Sequence, residues 1–202
     1  MSAMQASAPR TSEVRYETKE TKTAIQLNLD GTGQTEIATG IGFFDHMLHQ
    51  FAFHGFLDLQ LKCEGDLHVD SHHTVEDVGI ALGRALDQAL GDRGGLRRYG
   101  HAYVPMDETL ARAVLDFSGR PDFFFRGAFG TPRIGEMDTQ MIPHFFKSLA
   151  IAARATLHLD LLHGENDHHR AEGLFKACGR AVSLAVEPEP RRAGVASTKG
   201  VL

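Results

Sequence analysis

The pattern His-His-x-x-Glu occurs twice, as His72-His73/Glu76 and His168-His169/Glu172. On a helix, residues four apart lie on one face, so His72 pairs with Glu76 and His168 with Glu172, while the middle histidine points about 100° away. Each motif therefore offers ligands in two directions. His46 and His144 precede the two motifs at matching positions, which brings the set to six imidazoles and two carboxylates. That is enough for two metal ions with open coordination positions. Imidazole with carboxylate and no thiolate suits Mn, Fe, Zn or Ni. The arrangement differs from the HExxH of zinc proteases, because the glutamate does not stand between the histidines. A single His-His-x-x-Glu is most simply a helix start, with Asp70-Ser71 or Asn166-Asp167 as caps. Two copies, each preceded by its own matching histidine, ask for more than capping. The chain has 12 histidines in 202 residues, and His49, His54, His68, His101, His158 and His163 share no such pattern and read as surface or structural.

The elements that position these residues are also written twice. Phe44-Asp45-His46-Met47-Leu48 opens an apolar, helix-like run to Gly55; Leu57, Leu59 and Leu61 then alternate at strand period; and a helix follows the first motif with Val75, Val78, Leu82, Ala85, Leu86 and Ala89 on one face. In the second half Pro143-His144-Phe145-Phe146 opens a run through Ala155, Leu157, Leu159 and Leu161 alternate, and the second motif opens another helix. Ala81-x-Gly83-Arg84-Ala85 matches Ala177-x-Gly179-Arg180-Ala181, and the offset is 98 residues at His46/His144 and 96 at His72/His168. Each half begins with strand-like segments, Ile25 to Leu29 and Leu110 to Phe117. The pattern predicts an α+β fold: an internally duplicated unit of β-strands with two helices per half, the two sheets packed with the helices. The expected divisions are a flexible N-terminal tail (1–12), a first repeat (13–95), a second repeat (96–187) and a C-terminal tail (188–202), with residues 128–140 as a Gly/Pro-rich loop.

Composition narrows the partners. Net charge is −5, which argues against nucleic acid, and no apolar stretch of about 18 residues predicts a membrane span. The start, MSAMQASAPRTSE, lacks the apolar core of a signal peptide. Cys63 and Cys178 fall on apolar faces without CxxC spacing and read as core residues in a reducing, cytoplasmic setting. The tail run Ser197-Thr198-Lys199-Gly200 offers hydroxyls, backbone N–H groups and a cation, equipment suited to phosphate. Arg97-Arg98 and Arg120 sit near turns, and Lys176 lies one turn beyond Glu172 on the same face. Three functions fit: a metal-dependent lyase, a dinuclear hydrolase acting on a phosphate ester, and a metal store or sensor, which would have no use for a phosphate-binding tail.

From roughly residue 12 to residue 202 the chain resembles the imidazoleglycerol-phosphate dehydratases. The resemblance rests on Thr18-Lys19-Glu20-Thr21, Leu29-Asp30-Gly31-Thr32-Gly33, Phe44 to Leu48, Asp70 to Asp77, Pro105-Met106-Asp107-Glu108-Thr109, Ser118-Gly119-Arg120-Pro121, the second His-His-x-x-Glu and Ser197 to Gly200. It implies two Mn²⁺ per active site held by His46, His72, His73, Glu76, His144, His168, His169 and Glu172, a catalytic set of Glu20, Glu76 and Glu172, and substrate contacts at Glu20, Gln50, Arg98, Arg120, Lys176, Ser197, Thr198 and Lys199, mainly around a phosphate. It further implies a homo-oligomer of 24 subunits with active sites between subunits. The reaction would remove water from imidazole glycerol phosphate to give imidazole acetol phosphate. Its C–H proton has no adjacent carbonyl, so the imidazole ring must act as the electron reservoir, through a metal-bound imidazolate. Glu20 is the expected acid/base. The family pattern favours alanine where this chain has Gly173 and Gly179, and the helix glycine at 179 is expected only to cost up to about 1 kcal/mol.

Overall fold

The computed structural model describes residues 10–202. Strand-period alternation leaves one apolar face on each sheet, and that face needs a cover. The first half runs β1 (Thr11–Glu17), β2 (Thr21–Asn28), β3 (Thr35–Ala38), α1 (Gly42–Gly55), β4 (Asp58–Gly65) and α2 (His72–Leu90). The second runs β5 (Tyr99–Met106), β6 (Thr109–Asp116), β7 (Asp122–Arg126), then α3 (Met141–Ala152), β10 (Thr156–His163) and α4 (Asp167–Val186). Apart from a short hairpin inserted before α3 in the second half, both halves have the order β-β-β-α-β-α, so the duplication read from the sequence is the architecture of the chain. The sheets have orders β1-β2-β4-β3 and β5-β6-β10-β7. In each, the third strand joins parallel to the fourth, β3 to β4 and β7 to β10, while the other pairs are antiparallel.

Two expected boundaries differ. β1 begins at Thr11, inside the segment expected to be tail, because Thr11 and Ser12 pair with Asn28 and Leu27; residues 1–9 lie outside the described residues. The 128–140 segment is not wholly loop: β8 (Arg133–Ile134) and β9 (Met137–Asp138) form a small hairpin across Gly135. Gly135 has φ +57, a conformation that suits glycine and makes so tight a reversal cheap.

The helices lie between the sheets and pair across the halves. α2 packs on β1 and β2, α4 on β5 and β6, and then α2 meets α3 and α1 meets α4. The predicted stripe Val75, Val78, Leu82, Ala85, Leu86 and Ala89 is buried throughout, as are Phe44, Phe51, Phe145, Phe146 and Phe175. The two cross-pairings depend on glycine at equivalent positions. A Cβ at Gly83 would stand 2.5 Å from the Leu149 carbonyl oxygen on α3, and one at Gly179 would stand 2.2 Å from the Phe51 carbonyl oxygen on α1. Gly179 is therefore more than a loss of helix propensity. In this chain it lets α1 close on α4, and those two helices carry His46 on one side and His168 and Glu172 on the other.

Candidate metal centre

Side-chain caps fix where each histidine pair stands. The Asp70 carboxylate accepts the His72 N–H at 2.7 Å, and the Asn166 amide oxygen accepts the N–H groups of His168 (2.8 Å) and His169 (3.3 Å). The capping reading of these residues thus holds alongside the ligand reading: the cap starts the helix, and the helix puts both histidines in its first turn. Asp167 accepts from the Gly130 and Thr131 N–H groups and from Arg170, which ties the 130–131 loop to the start of α4.

The cross-pairing of helices then decides which side chains meet. His72 and Glu76 on α2 meet His144 on α3; the His144 Nε2 lies 3.3 Å from Glu76 Oε1, and the His72 Nε2 3.9 Å from Oε2. His168 and Glu172 on α4 meet His46 on α1; both Nε2 atoms approach Glu172 Oε2, at 3.1 and 3.2 Å. Each trio presents its donor atoms within 4.8 Å of one another. So each cluster takes its lone histidine from one half and its His-x-x-x-Glu pair from the other. The His144 Nε2 is buried and has no hydrogen-bond partner, a state that costs free energy unless something coordinates it. Two imidazoles and a carboxylate converging on one point, with such an orphan among them, fit a divalent cation with open positions.

The clusters are not identical. Glu172 is 6% exposed, and Lys176 holds its second oxygen at 2.6 Å. Burial acts to raise the Glu172 pKa, but Lys176, His46 and His168 outweigh it and hold the carboxyl below its ordinary value. Glu76 is half-buried and has no such cation.

His73 and His169 belong to neither trio. Each points away, as the spacing predicts, and each is held at Nδ1 by a carboxylate: His73 by Asp66 at 3.0 Å, His169 by Glu108 at 2.7 Å. The hydrogen bonds to these carboxylates are the main cause that raises both imidazole pKa values. The outward Nε2 of His73 faces Glu20 at 3.8 Å, and that of His169 faces Asp107 at 3.8 Å. Glu20 and Asp107 sit in the hairpins β1–β2 and β5–β6, equivalent places in the two halves. Asp66 escaped the sequence reading, since nothing in its spacing marks it. Asp107 and Glu108 belong to the family-like Pro105 to Thr109 run, whose sequence alone assigns them no role.

The candidate phosphate groups divide between two places. Lys176 and Gln50 accompany the Glu172 cluster, Gln50 one turn beyond His46 on α1. Arg98 is buried, paired to both Asp116 oxygens at 2.7 and 2.9 Å, and donates to the Ala196 carbonyl at 2.6 Å. That bond, with Gly95 N–H to the Gly194 carbonyl (2.8 Å), lays the C-terminal segment along the 94–98 stretch. Arg120 follows Gly119, where an added Cβ would meet Leu202. Arg98, Arg120 and the Ser197-Thr198-Lys199 run thus gather in one corner. This corner lies at the C-terminal end of α4, since the Arg98 N–H bonds the Ala185 carbonyl at 2.9 Å. Glu172 stands 13 residues earlier on that helix, roughly 20 Å at 1.5 Å per residue.

Among described residues, no helix is long and apolar enough to cross a membrane. The family model for imidazoleglycerol-phosphate dehydratase matches residues 39–182. A relative of that name from Methylibium petroleiphilum is 57% identical over 194 residues, covering 96% of this chain and 98% of its own. One from Methylobacillus flagellatus is 56% identical over 196 residues, with 96% and 99% coverage. The crystal structure of the Staphylococcus aureus imidazoleglycerol-phosphate dehydratase superposes with a TM-score of 0.80 at 38% identity, over 88% of this chain and 99% of that one. That of the Pyrococcus furiosus protein gives 0.81 at 35% identity, over 94% and 100%. Two helix-borne His/Glu trios, a duplicated α+β frame and these full-length similarities converge: the chain belongs to the imidazoleglycerol-phosphate dehydratase family, the hydro-lyases of histidine biosynthesis.

Proposed function

We propose that the dehydration depends on two Mn²⁺ ions per active site, and that each site is completed by residues from more than one copy of the chain. The observation that carries this is the separation within one chain. The metal-ligand trios lie at the N-terminal ends of α2 and α4, and the Arg98/Arg120/Ser197–Lys199 corner lies roughly 20 Å away at the C-terminal end of α4. A substrate carrying an imidazole and a phosphate on a three-carbon chain is too short to touch both. A second copy that brings its corner to this copy's trios removes the difficulty. The same geometry gives His73 and His169 a use. Their Nε2 atoms face Glu20 and Asp107 and belong to neither trio of their own chain, so in this reading they supply the missing ligands to a neighbour's. A closed homo-oligomer follows, of 24 subunits by family resemblance. The reducing cytoplasm suits it, since Cys63 and Cys178 are both free and buried.

In this reading His46, His168 and Glu172 hold one ion, and His72, Glu76 and His144 the other, with His73 and His169 completing them across the interface. When bound, manganese supplies Lewis-acid polarisation of the substrate's imidazole nitrogens, the electron reservoir this elimination needs. Lys176 holds one Glu172 oxygen and leaves the other for the ion. Arg98, held by Asp116, fixes the tail so that Ser197, Thr198 and Lys199, with Arg120 and Gln50, grip the phosphate and orient the chain of the substrate. Glu20 is 51% exposed and its carboxylate accepts no hydrogen bond among the described residues, so it is available to take the C–H proton and return it to the leaving hydroxyl. The test is incubation of metal-stripped protein with imidazole glycerol phosphate, with and without Mn²⁺, following the enolisable ketone product. Elemental analysis and light scattering run alongside. About two Mn²⁺ per chain, product only with metal, and a mass near 24 × 22 kDa support the reading. A metal-loaded, active monomer of about 22 kDa overturns the interface argument.

A further inference from the structure

We infer that Asp66 and Glu108 are positioning residues that turn His73 and His169 into metal donors, by binding Nδ1–H and so directing the Nε2 lone pair outward. The inference rests on the metal reading above, because it gives these histidines a ligand's task. A carboxylate at Nδ1 fixes both the tautomer and the ring orientation of a ligating imidazole. Both bonds have the required geometry, 3.0 and 3.2 Å from the two Asp66 oxygens and 2.7 Å from Glu108.

The duplication itself argues that the bonds are needed. The two carboxylates occupy non-equivalent places in the repeat. Asp66 follows β4 in the loop leading to α2, whereas Glu108 sits in the hairpin before β6. Aligning the two hairpins on Thr21 and Thr109 makes Glu20 the counterpart of Glu108. In the second half the hairpin glutamate holds the histidine. In the first half a different residue does so, and Glu20 is left facing Nε2 instead. A contact inherited passively from a common ancestor would use the same position in both halves. Here the hydrogen bond is kept while the carboxylate that accepts it has changed, so the orientation of the ring is the feature being preserved. The exchange also frees Glu20, which could not move a proton at the substrate while it braced an imidazole. Glu108 has further structural work: its other oxygen accepts the Glu165 and Asn166 N–H groups at 3.0 and 2.8 Å. Asp66 has no side-chain hydrogen bond other than to His73 among the described residues, which makes it the cleaner target.

The experiment compares Asp66→Ala, Asp66→Asn and His73→Ala. Binding of Mn²⁺ to stripped protein is followed by the electron paramagnetic resonance of the free ion, with circular dichroism as a check on folding. Asp66→Ala is expected to weaken one of the two Mn²⁺ per chain by about ten- to hundredfold and to leave the other unchanged. Asp66→Asn keeps an oxygen acceptor for Nδ1–H and is expected to recover much of that loss. Wild-type affinity at both sites in Asp66→Ala, when His73→Ala loses one, overturns the positioning role and leaves the metal reading intact. Equal losses in Asp66→Asn and Asp66→Ala also overturn it. If His73→Ala itself binds two ions with wild-type affinity, His73 is no ligand, and both the metal reading and this inference fall.

Discussion

Gly83→Ala should separate α2 from α3 and weaken one metal cluster selectively. Gly83 faces α3 nearly two turns beyond Glu76. A Cβ there would stand 2.5 Å from the Leu149 carbonyl oxygen, 2.6 Å from the Ala152 Cβ and 2.8 Å from the Ala153 nitrogen. None of these is the end of a flexible side chain, so relief needs movement of the α3 backbone. Ordinary contact begins near 3.4 Å, so α3 must retreat by about 0.9 Å. Overpacking of this kind costs about 1–3 kcal/mol, against about 1 kcal/mol of recovered helix propensity. The expected net loss is about 1 kcal/mol, read as a lower urea midpoint for chelator-treated protein at fixed concentration. The shift also exceeds the roughly 0.5 Å within which a metal constellation must be held. An ion held by His72, Glu76 and His144 should therefore weaken by about tenfold, while one at His46, His168 and Glu172 is affected less, because α1 meets α4 at its own close approach, Gly179, and α3 reaches that pair through Phe145 and Phe146. Gly42→Ala is the control: nothing lies within 4 Å of an added Cβ there, and stability should be equal or higher. A Gly83→Ala protein more stable than wild type, or one that weakens both ions alike, refutes the reasoning.

Three further outcomes follow from the same geometry. With limiting Mn²⁺, occupancy should decline as pH falls from above 6.5, because Asp66 and Glu108 raise the His73 and His169 pKa values above that ordinary figure and a ligand must lose its proton to bind; if excess Mn²⁺ rescues none of the acid-side loss of activity, proton competition is not its cause. Burial acts to raise the Asp167 pKa, but bonds from Gly130, Thr131 and Arg170 hold it down to about 2, against an ordinary 3.8. Its folded pKa is depressed, so its stabilisation is present above about pH 4 and is lost as pH falls towards 2. Acid unfolding of Asp167→Asn should accordingly be less steep across that window, and an unchanged slope counts against the assignment. Lys199→Ala and Arg120→Ala should each weaken substrate binding by roughly tenfold to a hundredfold with Mn²⁺ content unchanged, as charge-assisted phosphate contacts predict; a matching loss for non-phosphorylated imidazole glycerol would show that these residues do not read the phosphate.

Much of this protein is legible in its sequence because the information is local. The His-x-x-x-Glu pairs need only the 3.6-residue period of a helix, and Asp70 and Asn166 mark where each helix starts. The direction of His73 and His169 follows from the same period. Alternation in Leu57 to Leu61 and Leu157 to Leu161 locates the inner strands, and repetition at an offset of 96 to 98 residues reveals the duplicated frame. The pairing of ligands is not local. That His46 joins the second motif and His144 the first depends on α1 meeting α4 and α2 meeting α3, and these crossings are fixed by close approach at Gly179 and Gly83, where only the third dimension shows that a methyl group has no room. Gly179, read alone, looks like a defect in a helix. Asp66 carries no signal at all, since an aspartate in a loop is ordinary until a histidine seven residues later folds back onto it. The distance between the His/Glu trios and the Arg98/Arg120 corner is likewise invisible in the sequence. The sequence gathers all those residues into one functional set, and the length of α4 holds the two groups apart within one chain.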